Sequence, residues 1–186
     1  KPSSAASDVY KRQDSNTDFA EWENRKWDEL TEQEKDQVAY RMAVYAAQVH
    51  CVDYNIGKLI DCLKKNHKMD NTLILFMSDN GACAEPYEEL GGGKVEEVNN
   101  PASSFAPTYG RAWAQVSNTP FRKYKCRAYE GGISTPLILS WKGALGNKKG
   151  KWCRVPGYLP DIMPTILEAT GAKSVSYTHL TLPTKA

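Results

Sequence analysis

The amino-acid sequence predicts an α/β protein whose central, mostly parallel sheet is covered by helices. Three stretches carry that expectation. Leu73 to Met77 is an unbroken apolar run, the pattern of a strand buried on both faces. Leu137 to Trp141 is a second such run. Between them in kind, Val38, Met42, Tyr45, Val49, Val52, Ile56, Leu59 and Leu63 recur at alternating steps of four and three, so they share one helical stripe that could lie on a sheet.

Composition limits the function classes. The chain has 186 residues, 41% of them hydrophobic, and a net charge of +2, which gives no reason to expect a nucleic-acid partner. No apolar run is long enough to span a bilayer. Five cysteines (Cys51, Cys62, Cys83, Cys126, Cys153) lack the spacing of a zinc site, and an odd number cannot complete a disulfide framework; most are expected to be buried small residues.

Taken in order, residues 1–13 show no periodicity and no apolar signal-peptide core, so the compartment cannot be read from them. They and residues 176–186 are expected to be non-native or disordered flanks of a domain over 14–175. Thr31-Glu-Gln-Glu34 has the spacing of a capping box and should start the long helix that carries the stripe. A coiled coil would use the same stripe, but a strand pattern follows closely and Gly57 would weaken a free-standing coil by about 1 kcal/mol against alanine. His50 and His67 have no acid or second histidine at ligand spacing and are left without a function.

The first strand run ends on Ser78-Asp-Asn-Gly81. Ligands of open α/β sheets bind beyond the carboxyl ends of strands, where Asp79 and Asn80 would offer two oxygens to a hard cation. Asn-Gly after an apolar run is equally a hairpin signal, and these four residues alone favour the turn. After Gly81 the chain loses periodicity for over thirty residues, through Gly91-Gly-Gly-Lys94 and Phe105 to Trp113, too long for an idle connection. Gly91-Gly-Gly-Lys94 is not a phosphate loop, because the Walker spacing is missing and Val95 follows the lysine. Tyr109 and Trp113 could line a sugar or aryl pocket, although anchoring the loop is the commoner role for such rings. Arg122, Lys123, Lys125 and Arg127 then lie between turn signals and the second strand run, where cations could meet an oxyanion.

Ser78-Asp-Asn-Gly81, Ser117-Asn-Thr-Pro-Phe-Arg122 with Lys125, Glu130-Gly-Gly132 and Asp161-Ile-Met-Pro-Thr165 together resemble the type I sulfatases, the arylsulfatase-like branch of the alkaline phosphatase superfamily. The resemblance runs from about Trp27 to Gly171 and covers the second half of the catalytic domain. It implies part of an alkaline-phosphatase-like sandwich, with Asp79 and Asn80 holding Ca2+ and Lys125 binding the sulfate group as the catalytic cation. It also implies a sulfate-ester substrate (aryl, glycan or lipid sulfate), a need for the amino-terminal half of the same domain, and a periplasmic, secreted or lysosomal setting. Zinc hydrolases of the superfamily tend to carry histidine at the position of Asn80, and imidazole suits zinc better than an amide oxygen does.

The family's formylglycine nucleophile arises from a C-x-P-x-R or S-x-P-x-R motif, and no cysteine here has that context. The expectation is therefore a calcium-dependent sulfuric ester hydrolase, present as a fragment without its nucleophile. The alternative is a non-catalytic binding or scaffold module on the same fold. The remaining segments add no chemistry: a basic glycine-rich loop over 142–151 reads as a solvated hairpin, and a helical face of Leu159, Ile162, Met163, Ile166 and Leu167, with Asp161 near its start and Gly171 as its stop, is expected to pack.

Overall fold

The computed structural model describes residues 20–100, 102, 107–146 and 150–173. The expected flanks, 1–13 and 176–186, lie outside the described residues. The chain divides into two units, Lys1–Gly146 and Asn147–Ala186.

In the first unit, helix α1 (Glu32–Lys65) starts at the expected capping box. The Thr31 amide donates to Glu34 Oε2 at 2.9 Å, and the Glu34 amide donates to Thr31 Oγ1 at 3.3 Å. The helix ends where His67 turns left-handed (φ 54°) and the Lys68 amide returns to the Leu63 carbonyl at 2.9 Å. The stripe is covered only in its first part. Val38 is buried, and Met42 and Tyr45 are half-buried, whereas Val49, Val52 and Leu59 are exposed.

Strands β1 (Ile74–Met77) and β2 (Leu137–Ser140) pair antiparallel, with Ile74 opposite Ser140 and Met77 opposite Leu137. This corrects the expected parallel arrangement for the pair the structure describes. Nor is either strand buried on both faces as expected: β1 is half-buried with Phe76 exposed, and Leu137, Ile138 and Leu139 of β2 are exposed. An unbroken apolar run marks residues that can be buried and says neither what covers them nor which way the strands run, which the connection decides. Because Met77 faces Leu137, the chain leaves β1 and re-enters β2 at the same end of the ribbon. Asn80-Gly81 therefore begins a long excursion over 78–136, and the tight-hairpin reading is excluded.

The excursion folds back into the core of the unit. Its longest helix among the described residues, α2 (Gly110–Ser117), begins inside the stretch expected to be irregular and runs past its end at Trp113. It has no side-chain cap to announce it, and eight residues make barely two turns of pattern. Ala84, Ala114 and Tyr124 are buried together, with Ala82, Tyr87 and Tyr109 packed around them. A short helix, α3 (Glu130–Ile133), leads into β2.

All five cysteines are exposed, which corrects the expectation that most are buried. Cys51 and Cys62 lie off the apolar stripe of α1, and the other three lie in loops, so average cysteine burial does not apply.

The second unit contains helix α4 (Ile162–Thr170), which closes on Gly171 in the left-handed conformation (φ 67°), as the sequence predicts. Asp161 Oδ2 accepts from the Tyr158 amide at 2.8 Å and tightens the turn before it. Among the described residues no helix is long and apolar enough to cross a membrane.

Candidate functional site

The end of β1 is held open by its neighbours. Thr135 Oγ1, just before β2, donates to the Ser78 carbonyl at 2.8 Å, and Ser78 Oγ donates to the Asn80 carbonyl at 2.8 Å. The Gly81 amide then donates to the Gly132 carbonyl at 3.0 Å. These bonds occupy backbone groups and leave the side chains of Asp79 and Asn80 without a partner among the described residues. Asp79 is exposed and Asn80 half-buried, so both oxygens are available to a cation.

The second motif is joined to the first through one amide. Asn118 Oδ1 accepts from the Ala82 amide at 3.1 Å, and its Nδ2 donates to the Lys123 carbonyl at 3.1 Å. Lys125 completes the junction, its amide donating to the Ala82 carbonyl at 3.0 Å. Lys123 (φ 65°) and Cys126 (φ 67°) flank the turn in left-handed conformations that cost roughly 1–2 kcal/mol each for non-glycine residues. That geometry sends Tyr124 into the core and leaves Lys125 half-buried, its amide bonded to Ala82, which stands two residues after Asn80.

The Glu130-Gly-Gly132 motif is a packing device. A β-carbon on Gly131 would collide with the carbonyls of Arg122 and Lys123, and one on Gly132 with those of Arg127 and Tyr124. Gly81 is under the same constraint, because a β-carbon there would strike the Gly131 carbonyl. Three of the four sequence motifs thus meet at one backbone junction. The fourth lies in the second unit, where Thr165 Oγ1 donates to the Asp161 carbonyl at 2.6 Å.

The cations of the second motif have separate partners. Arg122 Nε lies 3.2 Å from Glu23 Oε1, and Lys123 pairs with the other oxygen of the same carboxylate. Their attraction, led by the Lys123 hydrogen bond, holds the Glu23 carboxyl below its ordinary range. Lys125 Nζ instead lies 3.2 Å from Glu85 Oε2. The bond to Glu85 raises the lysine's pKa, and the reciprocal bond lowers that of Glu85, so both remain charged near neutrality.

Several of these partners were not legible as functional. Glu85 and Glu23 are separated from their cations by 40 and about 100 residues of sequence, and no local pattern links them. Asn118 stands inside a recognised motif without showing that its amide bridges two loops. Arg41 could have been noticed as a charge within an apolar stripe. It is buried, and its guanidinium donates to the carbonyls of Gly92, Gly93 and Thr108, each at 2.6 Å. Gly91-Gly-Gly-Lys94, rejected above as a phosphate loop, therefore wraps an internal cation. Of the two candidate pocket aromatics, Trp113 is an anchor, donating Nε1 to the Val38 carbonyl at 3.0 Å. Tyr109 does line a cleft, against Tyr45.

The donor set fits calcium in kind and falls short in number. Asp79 and Asn80 are oxygen donors of the right sort, but calcium takes six to eight oxygens. No group of three or more His, Cys, Asp or Glu that could hold a metal exists among the described residues. The two residues can contribute to a site and cannot constitute one.

Comparison with known proteins accords with the motif geometry. The sequence profile of the sulfatase family matches residues 5–172. An uncharacterized sulfatase of Schizosaccharomyces pombe is 38% identical over 156 residues, covering 77% of this chain and 27% of the relative. The arylsulfatase of Klebsiella aerogenes is 32% identical over 157 residues, covering 80% of this chain and 33% of the relative. Human N-acetylgalactosamine-6-sulfatase is 29% identical over 127 residues, covering 68% and 19%. The chain spans a third or less of the length of these relatives. The profile match extends over most of the sequence and embraces all four motifs: the chain belongs to the sulfatase family.

Proposed function

We propose that this chain supplies the sulfate-binding lysine and part of the metal site of a sulfate-ester hydrolase. The observation that carries the reading is the backbone bond from Lys125 to Ala82, which ties a charged ammonium to the loop bearing Asp79 and Asn80. A sulfate ester is anionic, and charge builds on the leaving oxygen as the S–O bond breaks, so a fixed cation beside it lowers the barrier. Lys125 binds and orients the sulfate group; the paired Arg122 and Lys123 hold the loop against Glu23. Calcium held by Asp79, Asn80 and further oxygens would add a second fixed positive charge.

The sequence contains no C-x-P-x-R or S-x-P-x-R motif, so the nucleophile of the family's covalent route is sought outside these residues. In this reading the chain is the carboxyl-terminal half of a catalytic domain, and the complete domain is an alkaline-phosphatase-like sandwich. The exposed faces of Phe76, Ile138, Val52 and Leu59 are then surfaces for its remaining strands and helices. The competing reading, a non-catalytic binding module, draws on the missing motif.

The test is to assay a chromogenic aryl sulfate with calcium, using the chain alone and the chain joined in frame to the amino-terminal part of a related sulfatase. Turnover only by the joined protein, lost on Lys125→Ala, is the expected result. A well-folded joined protein without turnover would favour the binding module, and turnover by the chain alone would place a nucleophile within it.

A further inference from the structure

Asn80 is the only asparagine of the sequence that precedes a glycine. In such a pair the glycine's backbone nitrogen can reach the asparagine's own side-chain carbonyl carbon, because no β-carbon stands in its way. Water takes the amide proton of Gly81, and the freed nitrogen attacks Asn80 Cγ. A C–N bond forms and closes a five-membered succinimide, while the side-chain nitrogen receives a proton from water and leaves as ammonia. A second water then opens the ring at either of its carbonyls, giving aspartate or isoaspartate. No oxidant or reductant is needed.

Ring closure requires the peptide unit between Asn80 and Gly81 to turn until its nitrogen meets Cγ. The fold ties that unit at both ends. Its carbonyl, that of Asn80, accepts from Ser78 Oγ at 2.8 Å, and its N–H, that of Gly81, donates to the Gly132 carbonyl at 3.0 Å. The second bond also holds the proton that the attack must first remove, and breaking it inside the junction leaves the Gly132 carbonyl unpaired. Packing opposes the same rotation. Gly81 is buried so closely against Gly131 that an added β-carbon would collide with the Gly131 carbonyl. The side chain of Asn80 is half-buried and has no partner among the described residues, so the electrophile is free and the nucleophile alone is withheld.

We infer that Asn80 is a latent deamidation site, held unreacted by the bonds from Ser78 and to Gly132 and released when this junction opens. The inference needs neither a metal nor a substrate and stands on the junction alone. Its consequence is irreversible. Aspartate at position 80 puts a second carboxylate beside Asp79, and isoaspartate adds a carbon to the main chain, which moves Gly81 out of register with Gly132. A junction that has opened long enough to react therefore does not close again in its original form.

Incubation of the 186-residue chain in mildly alkaline buffer, folded and in urea, tests the inference. Mass spectrometry of the peptide bearing Asn80 reads the gain in mass as NH2 becomes OH. Conversion is expected in urea, and in the folded chain at a rate lower by roughly tenfold or more, as for any reaction routed through a rare local opening. Ser78→Ala frees the Asn80 carbonyl and should raise the folded rate several-fold while leaving the rate in urea unchanged. Circular dichroism verifies that this variant folds. Thr135→Val, which removes the bond from Thr135 to the Ser78 carbonyl, is a second way to loosen the same turn and should act in the same direction. Equal rates in the folded and unfolded chain, or a folded rate that neither variant moves, would overturn the protective role of the junction. An Asn80 that stays intact in urea would overturn the site itself.

Discussion

Lys125 and Glu85 meet at 3.2 Å across two loops that a backbone bond from Lys125 to Ala82 already holds together. The pair is partly exposed, the side chains retaining 35% and 48% of their accessible surface, so it adds little to stability. Its consequence is positional. Of the described cations in the segment, Lys125 alone combines an ion pair to Glu85 with a backbone link to the loop that bears Asp79 and Asn80.

That difference predicts how the cations will divide under substitution. In the complete enzyme, Lys125→Ala should lower kcat/KM for an aryl sulfate roughly 10²–10³-fold, the usual effect of removing one preorganised group from a charged transition state. Arg122→Ala and Lys123→Ala should act mainly on stability, because both are tied to Glu23. Full activity in Lys125→Ala, with loss in either of the others, would mean that the sulfate cation has been misassigned.

Glu23 gives a prediction in pH. Its carboxyl is held below the ordinary value by Lys123 and Arg122, so its contribution is present above the unfolded carboxyl pKa of about 4.3 and is lost as pH falls through the lower folded value. Glu23→Gln should cost about 1 kcal/mol at pH 7, a figure kept small by partial exposure. Urea unfolding of both proteins at pH 7 and near pH 3 should show the gap closing in acid. A gap that persists there would show that Glu23 acts by shape and not by charge.

Two glycines should respond in opposite directions to alanine. Gly131→Ala drives a β-carbon into the carbonyls of Arg122 and Lys123, and should destabilise by about 3 kcal/mol or more while loosening the Lys125 loop. Gly57 lies inside α1, where an added β-carbon would meet no heavy atom within 4 Å, so Gly57→Ala should gain up to about 1 kcal/mol. Denaturant midpoints of the two variants measure both. Equal effects would contradict the contact geometry.

These contrasts mark what the sequence could disclose. The capping box at Thr31 and Glu34, the left-handed stop at Gly171 and both apolar strands rest on local physics, and each occurs where its pattern predicts. Strand direction and burial did not follow, because Leu73 to Met77 records apolar character and neither the cover over it nor the path of the chain beyond it. The coverage of α1 also failed at Val49, since periodicity shows which residues share a face without showing what lies opposite. Of the candidate site residues, Asp79, Asn80 and Lys125 are proposed from their motifs, while the contacts of Glu85, Glu23 and Arg41 span tens of residues. The function of Glu130-Gly-Gly132 was hidden differently: glycine's role here is the atom it lacks, which becomes visible only when the carbonyls beside it are in place.

The proposed calcium ligands yield the final prediction. Asp79 and Asn80 present two unpartnered side chains, and no larger acidic or thiol cluster exists among the described residues to join them. A cation that requires six to eight oxygens would take the rest from water here, and water-rich calcium sites are weak. The isolated chain should therefore bind calcium with a dissociation constant of about a millimolar or weaker, a range reached by ligand-poor sites. Calorimetry on the chain and on Asp79→Ala measures this directly. Submillimolar affinity unchanged by Asp79→Ala would place the metal elsewhere. Submillimolar affinity abolished by it would show that other oxygens of this chain complete the site, which would move the metal-binding contribution of these residues from partial to sufficient.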